Sequence, residues 1–559
     1  MPKINKIQEK LVKALEHHKV QNFDQAEKLY REVLDAVPDF DIALQFYGTL
    51  LFQKCRYDEA LEYLHKSARI APSADIYTTL GEIYTIKNEN TNAIEYYLKA
   101  LELSPASPEL NYKVGISFYQ IGNIKKAVEH FNLVLQYAPD HADTYYMLGM
   151  ILHNNNQIKP AINYYKKALE LNLINDSIYF NLGSALCNEN LYDESINYYE
   201  KALELNPNNP DTYNNIGSSY QAKNNLEKAI HYYNKAIEKA PKDLYYYNLG
   251  RALLLTENFE KGWEYFESRM NLFDWHKPKL DTQKCPLWIG QPLKDKTIYV
   301  YSAGGNGDSI QFARYLPVLH SMGAKIVCCP QNGLIELFKQ SDLGAEIISF
   351  DDLPVDAKFD YQLPFFSCGN AFKANPENIP YKEGYLKANP EKVKYYKENY
   401  FNNDKLKIGL YWQGSDQPWD VRPIPLSCLY KLKNLKNIEL YSLQKGFGTE
   451  QLDSMSDDFR ITRLGETFEN YLDTAAAIEN LDLVITIDTS IVHLSGALGK
   501  KTWGLFSFSP DWRWLMDRAD CIWYSSVKVM RQKDFGNWTE LSDRLYDELK
   551  DMIDKSYTC

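Results

Sequence analysis

The chain has 559 residues, of which 45% are hydrophobic and 24% are charged, a composition typical of a soluble globular protein. At about 150 residues per domain, this length predicts three or four domains. The formal net charge of −12 argues against nucleic acid or an acidic membrane surface as a partner, because both favour a basic face.

Nine cysteines are scattered along the chain without a C-x-x-C spacing. This pattern favours reduced thiols over a disulfide framework or a zinc site. The first residues are polar and no run of about 18 apolar residues occurs, so we expect neither a signal peptide nor a membrane span. Together these features predict a cytoplasmic protein.

Glycines recur through the first half of the chain at intervals of 33 or 34 residues. A small residue follows most of them by twelve positions, and prolines close most of the units. The glycine and the small residue let two antiparallel helices approach closely, and the proline ends the second helix because it lacks an amide donor. The repeating glycines are Gly48, Gly81, Gly115, Gly149, Gly183, Gly217 and Gly250.

This pattern resembles the tetratricopeptide repeat family, with about eight repeats over residues 1–272. The resemblance implies an α-helical solenoid whose concave surface binds a protein or an extended peptide. A scaffold or a dimerisation surface without bound peptide is the alternative.

Three asparagines stand two positions before the glycines of the last three repeats, on the inner helix of each. Side-chain amides donate and accept hydrogen bonds, so a row of them can bind a peptide backbone without reading its sequence. The repeats of the O-linked N-acetylglucosamine transferases, which this region resembles, use such a row. Asparagine is also a common filler in these repeats. The predicted acceptor-binding residues are Asn181, Asn215 and Asn248.

The repeat pattern breaks after residue 272, and residues 273–296 are predicted to form a linker that wraps onto the next domain. Short apolar strands then alternate with helices, which indicates parallel sheets with crossover helices. The predicted strands cover residues 297–301, 325–329, 346–350, 406–412, 438–443 and 481–487, and an amphipathic helix covers residues 471–479.

The alternating region divides into two α/β units, residues 297–400 and 401–559, with a predicted hinge near residues 395–405. Parallel sheets bind ligands outside the carboxyl ends of their strands. We therefore expect a binding cleft between the two units.

Short motifs in the second half resemble the heptosyltransferase-like glycosyltransferases of family nine, in the branch of bacterial proteins that carry repeats. The resemblance extends from residue 259 to the end of the chain. It rests on Gly307-Asp308, Trp412-Gln413-Gly414, Asp473-Thr474-Ala475-Ala476, Asp488-Thr489-Ser490 with His493, residues 496–500, residues 510–514, Trp523-Tyr524 and Arg531-Gln532.

The resemblance implies a GT-B fold, in which an acceptor lobe (297–400) precedes a nucleotide-sugar donor lobe (401–559). Repeat-fused members of this family include enzymes that modify flagellin, so the resemblance also implies glycosylation of a protein. One position departs from the family. Repeat-fused relatives usually carry Glu or Gln before the second glycine of the loop, where this chain has Gly304.

Asp488, Thr489 and Ser490 join a strand directly to a helix, so free amides and the positive end of the helix would face the cleft. By the resemblance these residues bind the donor, and His493, one turn further along, would face its phosphates. The alternative is an ordinary N-cap followed by a buried histidine.

Asp308 opens a helix after a glycine-rich loop. By the resemblance Asp308 is the catalytic general base, which takes the proton from an acceptor hydroxyl as that hydroxyl attacks the anomeric carbon. An N-capping role is the alternative.

Further donor-binding candidates stand at strand ends of the donor lobe, although polar surface loops would look alike. A phosphate would lie close to the backbone at Gln413 and Gly414. Arg422 could neutralise a leaving diphosphate through its planar guanidinium. Gln444 and Lys445 could contact the nucleotide base or ribose.

Residues 512–514 are expected to be structural and to seal the donor lobe against the C-terminal helix. No Asp-x-Asp pair occurs after residue 41, so we expect no metal and no other cofactor. Protein charges and helix dipoles would then stabilise the leaving group.

The sequence therefore predicts a metal-independent glycosyltransferase that moves a sugar from a nucleotide-sugar donor to a hydroxyl of a protein acceptor recruited by the repeats. One alternative is a non-catalytic adaptor in which the GT-B domain has decayed. Another is a glycosyltransferase whose acceptor is a lipid-linked or polysaccharide glycan.

Overall fold

The computed structural model describes residues 2–273, 285–354, 357–416, 420–516 and 518–557. The chain divides into two compact units, Met1–Pro207 and Asn208–Cys559. The first unit is helical, and the second combines helices with two parallel sheets.

In the first unit the described residues form antiparallel helix pairs joined by short turns. The helices are α1 (Pro2–Lys19), α2 (Phe23–Ala36), α3 (Asp41–Gln53), α4 (Tyr57–Ile70), α5 (Ala74–Ile86), α6 (Asn90–Leu103), α7 (Pro108–Gln120), α8 (Ile124–Tyr137), α9 (Ala142–Asn154), α10 (Ile158–Glu170), α11 (Asp176–Asn188) and α12 (Tyr192–Leu205).

The repeating glycines lie where the two helices of a pair touch. A Cβ atom at Gly81 would lie 2.4 Å from the ring of Tyr97, and one at Gly149 would lie 2.8 Å from the ring of Tyr165. Real Cβ atoms do not approach neighbours this closely, so the ring of the second helix can cross the first helix only where no side chain stands. The small residue of each repeat, such as Ala93, is fully buried in the same interface.

The hydrophobic core of the first unit is local. Its clusters draw on buried residues within 11–83, within 93–151 and within 161–186. Each repeat therefore depends mainly on its immediate neighbours, as expected for a solenoid.

The second unit begins with two more helix pairs and a short helix. These are α13 (Pro210–Ala222), α14 (Leu226–Lys239), α15 (Asp243–Leu255), α16 (Phe259–Phe266) and α17 (Arg269–Leu272).

The first sheet is parallel, with strand order β3-β2-β1-β4. Its strands and helices are β1 (Thr297–Tyr301), α18 (Asn306–Phe312), α19 (Leu316–Ser321), β2 (Lys325–Cys329), α20 (Ile335–Gln340), β3 (Glu346–Ile347), β4 (Tyr361–Pro364) and α21 (Cys368–Ala371).

Part of the predicted linker lies along this sheet. Residues 274–284, including Pro278, lie outside the described residues. Leu287 pairs with Gln362 of β4, and the Trp288 amide donates to the Gln362 carbonyl over 2.9 Å. Trp288 is buried against Phe372. Residues 287 and 288 therefore pack onto the first sheet.

The second sheet is also parallel, with strand order β6-β5-β7-β8-β9. Its elements are α22 (Pro390–Tyr400), β5 (Leu406–Tyr411), β6 (Ile438–Ser442), α23 (Tyr471–Glu479), β7 (Leu483–Ile487), α24 (Ser490–Ala497), β8 (Thr502–Phe506), β9 (Val527–Arg531) and α25 (Trp538–Tyr557).

The predicted strands all form, although β3 is shorter than expected. Residues 395–400, predicted as part of a hinge, are helical and belong to α22. This helix packs on α23 of the second sheet, where Lys392 pairs with the buried carboxylate of Asp473 at 2.6 Å.

The last repeat shares one hydrophobic core with the two sheets. Trp263 of α16 is 1% exposed, and its indole N–H donates to the Ala374 carbonyl over 2.6 Å. Its ring lies 5.0 Å from that of Trp512 in the second α/β unit. The cluster that contains Trp263 also includes Ile298 of β1 and Val484 of β7.

The position of Trp512 corrects one expectation. Trp512 and Trp514 belong to the cluster shared with α16, whereas the apolar face of α25 packs in a separate cluster around β5 and β7. The prediction that residues 512–514 seal the donor lobe against the C-terminal helix is therefore wrong. The Trp512 indole packs against Trp263 and Phe266 of the last repeat instead, and the Trp514 indole packs against His493 and Phe506.

Candidate functional site

A cavity of about 780 Å³ lies in the second unit, where strands of both sheets end. The cavity is lined by residues 305–308, which come directly after β1 of the first sheet. The other sheet contributes residues that come after its strands β5, β7 and β8. This is the position at which parallel sheets bind ligands.

Two helix starts meet in this cavity. A Cβ atom at Gly307, in the first turn of α18, would lie 2.9 Å from Cδ2 of His493 and 3.4 Å from Cα of Ser490. The first turns of α18 and α24 are therefore in direct contact. The absence of a side chain at Gly307 makes this approach possible.

The candidate base Asp308 forms an ion pair with a buried arginine. Arg513 donates from Nη2 to Oδ1 of Asp308 over 2.6 Å and from Nη1 to Oδ1 of Asp511 over 2.6 Å. Its Nε donates to the Gln311 side chain over 2.7 Å. The second oxygen of Asp308 accepts the Gly305 amide over 2.7 Å. Arg513 thus connects the region of the second sheet to α18, which belongs to the region of the first sheet.

Burial raises the pKa of Asp308 above its ordinary value, although Arg513 and the Gly305 amide act in the opposite direction. The Asp308 side chain is still 21% exposed, so solvent reaches it from the cavity. A carboxylate of this kind is a stronger base than a free aspartate.

His493 lines the cavity at the contact between α18 and α24, and its side chain is buried. Its Nδ1 lies 3.1 Å from the Tyr524 hydroxyl, and its ring stacks on that of Trp514 at 5.4 Å. Burial and the nearby guanidinium groups of Arg513 and Arg314 hold the pKa of His493 well below its ordinary value. The imidazole is therefore neutral near pH 7.

The residues predicted to bind the donor at the start of α24 line the cavity together. Thr489 is the N-cap, and its hydroxyl accepts the Ile491 amide over 3.4 Å. The hydroxyl of Ser490 accepts a hydrogen bond from Tyr471 over 2.8 Å. Burial and the neighbouring Asp511 raise the pKa of Asp488 to about 6.

Arg422 and Gly414 also line the cavity. Arg422 donates to both carboxylate oxygens of Asp420, over 2.7 and 2.6 Å, and its Nη1 lies 3.2 Å from the Asp488 carbonyl. The guanidinium charge of Arg422 is therefore already neutralised by Asp420.

Three other donor candidates do not line the described cavity. Gln444 is 1% exposed; its side-chain carbonyl accepts the Gln413 amide over 3.1 Å, and its NH₂ group donates to the Phe447 carbonyl over 2.8 Å. The Gln413 side chain donates to a loop carbonyl, and exposed Lys445 donates to the Phe468 carbonyl. In this structure Gln444 therefore ties two strand ends together.

The three predicted ladder asparagines are partly buried, and hydrogen bonds connect Asn181 and Asn248 to the preceding repeat. Within the first unit, Asn181 donates to the Tyr146 hydroxyl over 2.8 Å. Within the second unit, Asn248 donates to Asn214 over 2.9 Å, and Asn214 donates to Asn215 over 3.3 Å. Part of their hydrogen-bonding capacity is thus used between repeats.

The surroundings of Gly304 leave no room for a side chain. Its φ is +149°, and a Cβ atom there would lie 2.3 Å from the Phe366 ring and 2.7 Å from Oδ2 of Asp308. The loop before α18 therefore requires glycine at this position.

Sequence reasoning missed several residues that build the cavity. Asp511 and Arg513 stand in a motif that the sequence analysis noted but interpreted as structural. Gln221 and Arg251 come from the repeats, which the sequence separates from the α/β region. One signal was available for Arg251: it is the only basic residue directly after a repeat glycine, where the other repeats have Thr49, Glu82, Ile116, Met150, Ser184 and Ser218.

Over the residues that the structure describes, no three His, Cys, Asp or Glu side chains form a group that could hold a metal ion. Within the same ranges, none of the helices combines the length and apolar character needed to cross a bilayer.

Comparison with known proteins identifies the class of the N-terminal region. Models of the tetratricopeptide repeat match residues 11–75, 81–122, 142–175 and 176–242. The N-terminal part of the chain therefore consists of tetratricopeptide repeats, and this prediction is confirmed.

Two curated proteins illustrate its relatives. Protein FlbA of Caulobacter vibrioides is 23% identical over 340 residues, which cover 56% of this chain and 56% of FlbA. The TPR repeat-containing protein MJ1428 of Methanocaldococcus jannaschii is 28% identical over 100 residues, 18% of each chain. The chain thus spans about half the length of FlbA and less of MJ1428.

Solved structures of repeat proteins resemble parts of the chain. YrrB, a TPR protein with an unusual peptide-binding site, is 30% identical and matches 33% of this chain and 94% of its own, with a TM-score of 0.30. MamA is 28% identical and matches 31% of this chain and 94% of its own, with a TM-score of 0.28.

Proposed function

We propose that the chain is a metal-independent glycosyltransferase of the GT-B type, which moves a sugar from a nucleotide-sugar donor to a hydroxyl of a protein acceptor held by the repeats. One observation carries the proposal. The carboxylate of Asp308 and the start of α24 line the same cavity, at the point where α18 and α24 touch.

The start of α24 is suited to a phosphate. Thr489 caps the helix by accepting the Ile491 amide, while the amide of Ser490, in the first turn, has no partner inside the helix. The positive end of the helix macrodipole favours an anion at the same place. The hydroxyl of Ser490 accepts from Tyr471 and keeps its own proton to donate.

The proposed reaction is a single displacement. The oxygen of the acceptor hydroxyl forms a bond to the anomeric carbon, and the bond from that carbon to the phosphate oxygen breaks. The leaving nucleotide keeps the electron pair of that bond, and Asp308 takes the proton of the hydroxyl. The helix end and the cavity guanidinium groups would stabilise the charge that develops on the leaving phosphate.

Asp308 can act as a base although both of its oxygens already accept hydrogen bonds. Each carboxylate oxygen has two lone pairs, and Arg513 and the Gly305 amide use one on each oxygen. The remaining lone pairs are available to a hydroxyl that enters from the cavity. We propose that Arg513 keeps Asp308 ionised and oriented, so Arg513 is a positioning residue.

The test begins with thermal denaturation of the full chain in the presence of nucleoside diphosphates, cytidine monophosphate and the corresponding nucleotide sugars. A ligand present at about 100 times its Kd adds roughly 2.7 kcal/mol to the free energy of unfolding. We expect one nucleotide to raise the Tm, and Asp488→Ala to abolish that rise. Nucleotide release with protein, glycan and lipid-linked acceptors would then identify the acceptor class, with Asp308→Asn as the inactive control.

One observation favours a second candidate, a non-catalytic adaptor. Asp308 is held by Arg513, and the surroundings of Gly304 leave no room for the acidic or amide side chain that the resembling loops carry at this position. An adaptor would bind a nucleotide or a partner without releasing nucleotide in the presence of any acceptor. If no nucleotide raises the Tm of the wild-type chain, the glycosyltransferase proposal is contradicted.

A further inference from the structure

The last two repeats form one wall of the cavity. Gln221, at the end of α13, and Arg251, in α15, line it beside the loop that follows β8. That loop lies directly on the repeat helices. The Asn224 side chain donates to the Phe508 carbonyl over 2.8 Å, and the Ser509 hydroxyl donates to the Gln221 carbonyl over 3.2 Å.

The three guanidinium groups that line the cavity differ in whether a carboxylate neutralises them. Among the cavity's lining residues, Arg422 is paired with Asp420, and Arg513 is paired with both Asp308 and Asp511. Arg251 is in no ion pair and no side-chain hydrogen bond with any described residue, and its guanidinium carbon lies 5.7 Å from the ring centroid of Tyr247.

An anionic ligand would need this free charge. The lining contains four carboxyl groups and three guanidinium groups, and two of the guanidinium groups are already engaged with three of the carboxylates. Without Arg251 the lining would have two more carboxyl groups than guanidinium groups, and with Arg251 it has one more. The unpaired cation therefore reduces the repulsion that a phosphate meets in the cavity.

We infer that Arg251 of the last repeat binds the phosphate groups of the donor nucleotide. This inference rests on the proposed function and adds a residue from the repeat region to the donor site. A planar guanidinium suits phosphate because it can donate two parallel hydrogen bonds.

Arg251 lines the same cavity as Asp511 and the start of α24. Burial acts to raise the pKa of Asp511, but the guanidinium groups of Arg513 and Arg251 hold it below its ordinary value, so Arg251 is electrostatically close to Asp511. Asp511 in turn acts on the pKa of Asp488, which directly precedes the cap of α24. The start of α24, where the donor phosphates are proposed to bind, therefore shares one cavity with Arg251.

The experiment compares nucleotide binding with nucleoside binding. Calorimetric titration of the full chain would use inorganic pyrophosphate, the four nucleoside diphosphates, cytidine monophosphate and the matching phosphate-free nucleosides. We expect Arg251→Gln to weaken the binding of the nucleotide that stabilises the wild type by about 10- to 100-fold, since one charged contact is lost. The affinity for the nucleoside is expected to stay unchanged.

Two variants serve as controls. Lys239→Gln removes the same charge from the same part of the chain, outside the cavity, and should leave both affinities unchanged. Arg251→Lys keeps the charge and should recover part of the nucleotide affinity. Urea unfolding of each variant would establish that the fold is retained.

The outcomes are distinguishable. If the wild type binds a nucleotide and Arg251→Gln binds it equally well, the inference about Arg251 is wrong while the proposed function stands. A higher KM for the acceptor with unchanged nucleotide affinity would also overturn it, because Arg251 would then belong to the acceptor. If the wild type binds no nucleotide, the proposed function and this inference fall together.

Discussion

The two compact units of this chain are stabilised in different ways. In the first unit, buried residues come from adjacent helices, and a glycine in one helix meets a large residue sixteen positions later in the next. In the second unit, one cluster draws residues from Leu226 to Val529, from the repeats and from both sheets. Local contacts therefore stabilise the first unit, and contacts distant in sequence stabilise the second.

Because of this difference, the boundary of the repeat pattern in the sequence and the boundary of the compact units in the structure do not coincide. The repeat pattern continues to residue 272, but the compact second unit already begins at Asn208. The last two repeats have the sequence pattern of a solenoid, but some of their buried residues belong to the same hydrophobic cluster as those of the two sheets. They also supply two residues of the cavity wall, Gln221 and Arg251. The repeats proposed to hold the acceptor and the proposed catalytic cavity therefore overlap.

The largest expected loss of stability comes from removing a buried aromatic side chain, and its reach along the chain should differ between the two compact units. Trp263 and Tyr165 are both 1% exposed, and replacing either with alanine is expected to cost about 3–5 kcal/mol of local stability. Trp263→Ala should also lower the hydrogen-exchange protection of β1 and β8 and abolish nucleotide binding. Tyr165→Ala should reduce protection only in α9–α12.

Hydrogen exchange measured by mass spectrometry, together with the nucleotide-induced rise in Tm, would check this contrast. Unchanged protection of β1 in Trp263→Ala would contradict the shared core.

The second prediction concerns the buried acid at the donor helix. The folded pKa of Asp488 is raised to about 6 from an ordinary value of 3.8. The folded state therefore holds a proton that the unfolded chain releases, and stability is lost as the pH rises from about 4 to about 6. Asp488→Asn avoids that loss, so we expect it to be up to about 3 kcal/mol more stable than the wild type at pH 8.

At pH 5 this advantage should fall to about half, because wild-type Asp488 is then largely protonated in the folded state. Urea unfolding at the two pH values would measure the change. Asp457→Asn, at an exposed position, is the control for the removal of one carboxylate. A constant gap between pH 5 and pH 8 would argue against the raised pKa.

The third prediction addresses the contact of the two helix starts. Gly307→Ala introduces a methyl group 2.9 Å from His493, so α18 and α24 must move apart. We expect a loss of about 1–3 kcal/mol and weaker nucleotide binding. Gly305→Ala, whose added carbon would have its nearest neighbour at 3.4 Å, should change the stability by less than about 0.5 kcal/mol.

Urea unfolding and nucleotide titration of both variants would decide this point. Equal behaviour of the two alanine variants would mean that the close approach at Gly307 has no role in the site.

The smallest effects are expected in the repeats. Replacing Asn181, Asn215 and Asn248 together with alanine should weaken acceptor binding, while the affinity for the nucleotide stays unchanged. Each loss of an inter-repeat hydrogen bond, such as that from Asn248 to Asn214, is expected to cost about 1 kcal/mol. Acceptor KM and nucleotide Kd would be measured separately, and an unchanged acceptor KM would contradict the ladder.

The sequence predicted the elements of both units well where a period or a short apolar run marked them. The glycine interval gave the helix pairs, and the predicted bounds of β1, β2 and α23 agree with the structure. It did not predict β4, β8 or β9. The strand over residues 502–506 is buried on both faces and lacks the alternation that reveals a half-exposed strand.

The candidate site was predicted in part. The motifs identified Asp308 and the start of α24, which line the cavity. A strand followed by a loop and a helix start can be recognised from the sequence alone. The motifs did not reveal that Arg513 joins Asp308 to Asp511, since the two carboxylates are about 200 residues apart in the chain. They also did not reveal that the side-chain amide of Gln444 forms hydrogen bonds between two strand ends.

By itself, the sequence determined the local structure: the helix pairs, most strands and the starts of α18 and α24. These follow from steric and hydrogen-bonding preferences of residues close together in the chain. Only the tertiary structure decided which charges are neutralised and that the last repeats belong to the same core as the sheets. Burial and ion pairing depend on residues that meet in space, and Arg251 stays unpaired in the cavity because no described carboxylate lies within 4.0 Å of it.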